Sequence, residues 1–374
     1  MAARRTAYQR RGRAALLGVG IVFVAVQLAA GLLLDWRGLA VRFPSAARVL
    51  AAAPRDGHGP DVLLLGSSRF EQLSAGEAGV LLHREHPDAD PEGVYNAAVP
   101  AGDPIVEDFL LERLLRQGSR PRLAVVEISP ETVNEYNVWF TMHAHRQITW
   151  RDTPACFVEV CRADEFKRLV RARLVPLYAH RRELRRQALA AVTRPISPPP
   201  APARRSAEEL FGGSLPSVGP DGRLPWETLL QVARPPLTPA EAEARAAFAR
   251  TTWKRFKDYQ PGGTTAAALE RLLQRCRAND IEVVLVGVPN DSYFLRQCTP
   301  DINATYLDYV GRLTRTYGCR FIDYRDAEPD QLFVDSNHLN GEGASHFVRR
   351  LTRDVISPWW QERQAAYARR SDDT

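Results

Sequence analysis

Lysine is almost missing from this chain. Of its 374 residues only Lys167, Lys254 and Lys257 are lysine, and arginine carries the rest of a formal net charge of +6. The arginines are dispersed and mixed with acids, so they form no basic stripe of the kind that follows a nucleic-acid backbone. Zinc-finger spacing, a Walker-type glycine-rich loop and RNA-binding signatures are missing too. These absences argue against a nucleic-acid partner and against a nucleotide cofactor. The five cysteines include no C-x-x-C pair, which argues against a zinc or thioredoxin-like redox centre. Cys156 and Cys161 stand close together, Cys298 and Cys319 flank an expected helix, and Cys276 is left over. One or two disulfides suit such a set in an oxidising compartment. His143 and His145, in "FTMHAHRQ", lack an accompanying carboxylate cluster, so neither a metal site nor a cofactor is expected. Hydrophobic residues make up 45% of the chain and charged ones 25%, which favours a packed core over global disorder.

Long apolar runs are also scarce, with one exception. Residues Ala14 to Leu34 carry no charge, and Gln27 is their one strongly polar member. At helical rise this run spans about 30 Å, the thickness of a bilayer core. Arg4, Arg5, Arg10, Arg11 and Arg13 precede it, and Trp36 suits an interfacial place. The positive-inside rule puts residues 1–13 in the cytoplasm and the remainder outside. A cleaved signal peptide is the rival reading, but its apolar stretch is usually shorter, about 7–15 residues.

Strand-length aliphatic runs then recur at 61–66, 93–99, 122–129, 281–289 and 319–324. All but the second lack clear alternation, the pattern of strands covered on both faces in a parallel sheet. Helical periodicity is expected over Ile105–Gln117, Thr265–Asn279, Leu307–Tyr317 and Gly341–Asp354. The alternation predicts a three-layer, doubly wound α/β domain over 61–130 and 263–360, after a stalk at 35–60 and before a polar tail at 361–374. Residues 131–262 interrupt it. They hold an arginine-rich helix near 164–191, the proline-rich "TRPISPPPAPARR" and a helix from Pro239 to Tyr259, an insertion that reads as a lid or subdomain over the sheet or as a helical elaboration with no part in chemistry.

Two stretches carry chemistry. "VLLLGSSRFEQ" puts Ser68 just past a strand, at the carboxyl edge where open α/β sheets bind ligands. It also starts a helix, whose dipole and free amides favour a developing oxyanion. "VDSNHLNGEGASHF" supplies Asp335 and His338 from one loop. A hydrolytic serine needs an imidazole to take its proton, and the imidazole needs a carboxylate to fix its tautomer. The simpler reading makes Ser67 or Ser68 a helix cap. Arg69 is placed to hold a substrate carboxylate or phosphate, or to pair with a neighbouring acid. Asn290 ends the fourth strand on the same edge, where it lines a pocket or forms a turn. His346, on the last helix, reads as structural.

In these stretches the chain resembles the SGNH (GDSL-type) hydrolase superfamily. Gly66-Ser67-Ser68 is similar to the family's first block, with Ser67 in the aspartate's place. Asp335-Ser336-Asn337-His338 is similar to its fifth block. The resemblance covers about 61–130 and 280–355. It implies Ser68 as nucleophile, His338 as general base and Asp335 as the orienting acid, on a flavodoxin-like sheet. It implies oxyanion donors from the Ser68 amide, from Ala98 or Gly102 in "YNAAVPAGD", and from Asn134 or Asn137, with Asn96 nearby for substrate. The middle blocks depart from the family pattern. An oxyanion hole so altered costs about 10²–10³ in rate, which suits an enzyme acting on a tethered donor. "LLLGSSR", "VVEISPETV" and "DSNHLNGEGA" are most similar to membrane-anchored members of the DltD and AlgX/AlgJ type. They imply an acyl donor, an envelope glycan acceptor and a membrane-bound acyltransferase partner. A catalytically inactive SGNH-like scaffold or polysaccharide-binding protein is the second reading, and a phosphoryl-transfer or metal enzyme ranks last.

Overall fold

The structure is a computed structural model that describes residues 2–37, 42–54, 59–135, 236–252 and 256–372, with short pieces of 170–189. His143, His145, Asn137, Cys156, Cys161, the proline-rich run and most of the helix expected near 164–191 lie outside the described residues. By its contacts the chain divides into two units, Met1–Arg48 with Phe140–Pro198, and Val49–Trp139 with Pro199–Thr374.

The first unit contains helix α1 (Ala2–Arg37). Its stretch Arg11–Trp36 has a mean hydropathy of 2.4 and is long and apolar enough to cross a membrane. Leu16, Leu17, Ile21 and Val22 stand exposed along it. A continuous apolar surface of this kind is unfavourable in water and favourable in lipid.

The second unit is an α/β fold. Its five strands are β1 (Val62–Leu65), β2 (Val94–Asn96), β3 (Leu123–Ile128), β4 (Glu282–Gly287) and β5 (Arg320–Asp323). All neighbours pair in parallel, in the order β2-β1-β3-β4-β5. The second strand is shorter than its sequence pattern, yet the ladder continues past it through Ala97 N to Leu64 O and Val99 N to Gly66 O. In this order the connections leave β1 and β3 in opposite directions, opening a crevice beyond their carboxyl ends.

The pleat explains the unbroken aliphatic runs. Val62, Leu64, Leu123, Val125, Val284 and Val286 join one core cluster, while the alternate residues Leu63, Leu65, Ala124, Val126 and Leu285 are equally buried on the opposite face. Between the strands lie α2 (Ser68–Glu71), α3 (Ala75–Glu85), α4 (Pro104–Arg116), α5 (Pro239–Thr252), α6 (Gly263–Ala278) and α7 (Pro300–Tyr317), with α8 (Gly341–Leu351) after β5. Helix α3 packs with α8, and α6 packs with α4 and α7, which gives the three layers.

Helix α5 ends at Thr252 and not at the expected Tyr259, and two further boundaries differ from the sequence pattern. Helix α7 begins at Pro300, capped by Thr299 through Ile302 N, because its polar first turns hide the apolar period. The expected polar tail is helical as well. After α8 the chain passes through a π-helical turn, Thr352–Ile356, into a helix over Ser357–Asp372. Trp359 and Trp360 are buried there and close one core. The π turn lies just before Pro358, where a regular helix would lose a hydrogen bond. Cys276, Cys298 and Cys319 are free thiols, and burial pushes Cys276 up to about 12 and Cys298 up to about 11.

Asp103 caps α4 by accepting from Ile105 N and Val106 N, and burial pushes its carboxyl up to about 6. The folded state therefore holds this proton to higher pH than the unfolded chain, whose value is near 3.8. Stability falls through this group as pH rises from about 4 to about 6, and is flat above. Asp103→Asn keeps the acceptor and should remove that share of the fall. Thermal midpoints of both proteins from pH 4 to 7 test it, and parallel curves would contradict it.

Candidate active site

Strand β1 runs into Gly66, and the chain turns there against β3. A Cβ at Gly66 would lie 2.6 Å from Glu127 Oε2 and 2.8 Å from Glu127 Cβ, so only glycine fits. The two serines that follow divide the work. Ser67 caps α2 by accepting from Arg69 N at 3.2 Å. It is held by Glu127, which accepts from Ser67 N at 2.8 Å and from Ser67 Oγ at 2.7 Å. Ser68 is left half-buried with its hydroxyl directed elsewhere: Oγ lies 2.7 Å from His338 Nε2.

His338 reaches this place from a loop that folds back on itself. Phe333 and Leu339 form an antiparallel bridge, Val334 N donates to His338 O, and Asn340 N donates to Leu332 O. Asn340 then caps α8 through Gly343 N. Within the loop, Asp335 Oδ2 and Oδ1 lie 2.9 and 3.0 Å from His338 Nδ1. Asp335 also accepts from the amides of Asn337 and His338. Burial pushes its carboxyl up, but the His338 bond and the Asn337 amide prevail and hold it below the ordinary value. An ionised carboxylate only accepts, so the proton between them sits on Nδ1. Nε2 is then a lone-pair acceptor for the Ser68 hydroxyl.

Beneath Ser68 lies a buried ionic network. Arg69 donates through Nε to Glu127 at 2.8 Å, through Nη1 to Glu131 at 2.8 Å and through Nη2 to Ser129 at 2.8 Å. Burial opposes its charge, and Glu127 and Glu131 outweigh that and hold it protonated. Arg69 is 7% exposed and paired with Glu127 and Glu131, the second of the two roles its position offers. Asn96 is framework. Its Nδ2 donates to Phe70 O and Leu73 O and ties down the end of α2. Asn290 is buried, donates to Val288 O and accepts from Arg69 Nη1.

Two of the expected oxyanion donors are engaged in other bonds. Ala98 N donates to Asn96 Oδ1, and Gly102 N donates to Val99 O. Asn134 is fully buried, and its Oδ1 accepts from Gln260 N beside the Asn134–Pro261 bridge. Helix α2 is a single turn, too short for the dipole support expected at Ser68. Gly102 still shapes the site. A Cβ there would meet Gly66 O, and the preceding Ala101 holds a left-handed φ of 55°. A small cavity beside Ser68 is lined by Gly102, Glu131, Thr132 and Asn337. Glu131 Oε2 and Asn337 Oδ1 are buried without hydrogen-bond partners. Among the described residues no His, Cys, Asp and Glu group has a metal-holding arrangement. His346 pairs with Glu328 away from Ser68.

The sequence pattern does not single out Glu127 and Glu131. One signal for Glu127 was there: it is the lone charge inside the aliphatic run "LAVVEI", at the strand end nearest Ser68.

Neither a known protein family nor a curated protein matches the chain by sequence. Among solved structures, the chain is similar to a Bacteroides fragilis protein assigned as an acylhydrolase. The TM-score is 0.34 and the identity 9%, over 84% of this chain and 97% of that one. It is also similar to a GDSL-like lipase of Bacteroides thetaiotaomicron, with TM-score 0.34 and identity 11%, over 85% and 99% of the two chains. Likeness at this level leaves the chemistry to be argued from the site itself.

Arg69→Leu should leave Glu127 and Glu131 as uncompensated buried charges. The expected loss is about 3–5 kcal/mol of unfolding free energy in denaturant titration. Arg69→Lys should recover little of it, since a point charge cannot reproduce the fork. A loss in Arg69→Leu below about 1 kcal/mol would contradict this account of the network.

Proposed function

We propose that this protein is a membrane-anchored serine acyl-ester hydrolase or O-acyltransferase with Ser68 as nucleophile. The observation that carries the reading is the unbroken relay from Ser68 Oγ to His338 Nε2 and from His338 Nδ1 to Asp335, with both links at 3.0 Å or less. Ser68 Oγ attacks the acyl carbonyl carbon while His338 takes the hydroxyl proton. Asp335 stabilises the imidazolium that forms. Collapse of the tetrahedral intermediate releases the alcohol, which takes its proton from His338. The acyl group stays on Ser68 until water or an acceptor hydroxyl, deprotonated by His338, attacks it. The Ser68 amide is the oxyanion donor this reading uses. A hole with few donors supports slow turnover on a donor held at high local concentration.

The apolar run Ala14 to Leu34 of helix α1, with basic residues before it, supports anchoring with the α/β unit outside the cytoplasm. The stretches similar to DltD and AlgX/AlgJ-type proteins support an envelope glycan acceptor and a membrane-bound acyltransferase partner. The second reading is a non-catalytic polysaccharide-binding or scaffold protein on the same fold. It is favoured by the Ala98 and Gly102 amides being engaged in other bonds and by the buried Glu131 lining the cavity beside Ser68.

A fluorophosphonate probe separates the two. The wild-type protein should label and Ser68→Ala should not. Asp335→Asn should slow turnover of a 4-nitrophenyl ester on the order of 10⁴-fold. Absent labelling of the wild type, or equal labelling of Ser68→Ala, would favour the second reading.

A further inference from the structure

The sequence offers 131–262 as a lid or as a helical elaboration, and helix α5 within that segment is tied to the loop that carries His338. Arg245 projects from α5 and is 7% exposed. Its Nη1 donates to Asp330 O and its Nη2 to Phe333 O, so one planar fork spans the entry of the loop. The Asp291 carboxylate, fully buried in the segment after β4, lies 3.5 Å from the same guanidinium. The Arg245 carbonyl accepts from Ser336 Oγ at 3.1 Å, and Ser336 O accepts from Asp291 N at 3.1 Å. Ser336 is fully buried and stands between Asp335 and His338 in the chain.

We infer that Arg245 is a positioning residue for His338, and that α5 braces the Asp335–His338 loop against the sheet edge. The inference rests on the reading of Ser68 as nucleophile. The pairing of Asp335 with His338 is made inside the loop and does not need α5. The contact that does need it joins the loop to Ser68, across 270 residues of chain. Two carbonyls and a buried hydroxyl of the loop are fixed by one residue of α5, and the other side of Ser336 is fixed through Asp291 to the segment after β4. Removing the fork frees the loop entry, and His338 Nε2 then spends less of its time within reach of Ser68 Oγ. The loss should fall on the chemical step, with little change in how tightly a substrate binds.

The test uses the full chain in detergent micelles, with the fluorophosphonate labelling rate of Ser68 as first readout and a thermal melt as control for folding. Arg245→Ala should remain folded at the assay temperature and label about 10²-fold more slowly than wild type. Arg245→Lys, which reaches one carbonyl and not both, should fall between them. Millimolar guanidinium, too dilute to denature, should speed labelling of Arg245→Ala and leave wild type unchanged, while sodium chloride at the same strength should do neither. A purely structural role would lower the melting temperature without this rescue. With a 4-nitrophenyl ester, kcat should drop while KM holds. Should Arg245→Ala not fold, Ser336→Ala removes a single oxygen from the same brace and should slow labelling about fivefold, one hydrogen bond's worth.

Labelling of folded Arg245→Ala, or of Ser336→Ala if that is the variant used, at the wild-type rate would overturn the inference while Ser68-dependent labelling still upheld the esterase reading. So would a slowed Arg245→Ala that guanidinium does not rescue. If the wild type shows no Ser68-dependent labelling, the esterase reading falls and the role of Arg245 falls with it.

Discussion

The ion cluster of Arg69 with Glu127 and Glu131 is the constraint around which this site is built. It ties the turn after β1 to the end of β3, across the crevice that the strand order opens. Because Glu127 also takes both the amide and the hydroxyl of Ser67, the backbone at the turn has one orientation available. Ser68 is presented by that orientation. Gly66 and Gly102 follow from the same packing, since each lies too close to its neighbour to carry a side chain.

Charge balance in this region depends on protonation as well as on pairing. Glu107 is buried near Glu127 and Asp103, and burial with their repulsion pushes its carboxyl well above the ordinary range. A neutral Glu107 leaves Arg69 facing two carboxylates and not three. The arrangement resembles buried polar clusters in which removing one partner is far more damaging than its net contribution suggests. It also explains why an arginine next to Ser68 is buried and turned away from the crevice.

Much of the fold was legible in the sequence because parallel strands buried on both faces leave unbroken aliphatic runs, as β1, β3 and β4 do. The pairing of Ser68 with a D-x-x-H loop was legible because both stretches fall at ends of elements. What the sequence could not convey was direction. Arg69, Asn96 and Asn290 all lie at the correct edge of the sheet, and their side chains turn inward to hold backbone and carboxylates. Position along a strand fixes the edge, whereas orientation there depends on partners tens of residues away. The extent of α7 was hidden by its polar first turns, and the helix after Ile356 by Pro358. Arg245 gave no signal at all, because an arginine on an amphipathic helix most often faces solvent.

Ser68 follows β1 and His338 follows β5, so the 2.7 Å contact between them joins the first strand of the sheet to the last in chain order. Nearness along the chain contributes nothing to that contact, and its closure entropy is met by the packing of the whole sheet. A change that loosens β5 or the loop after it would therefore be felt at Ser68, far away in sequence.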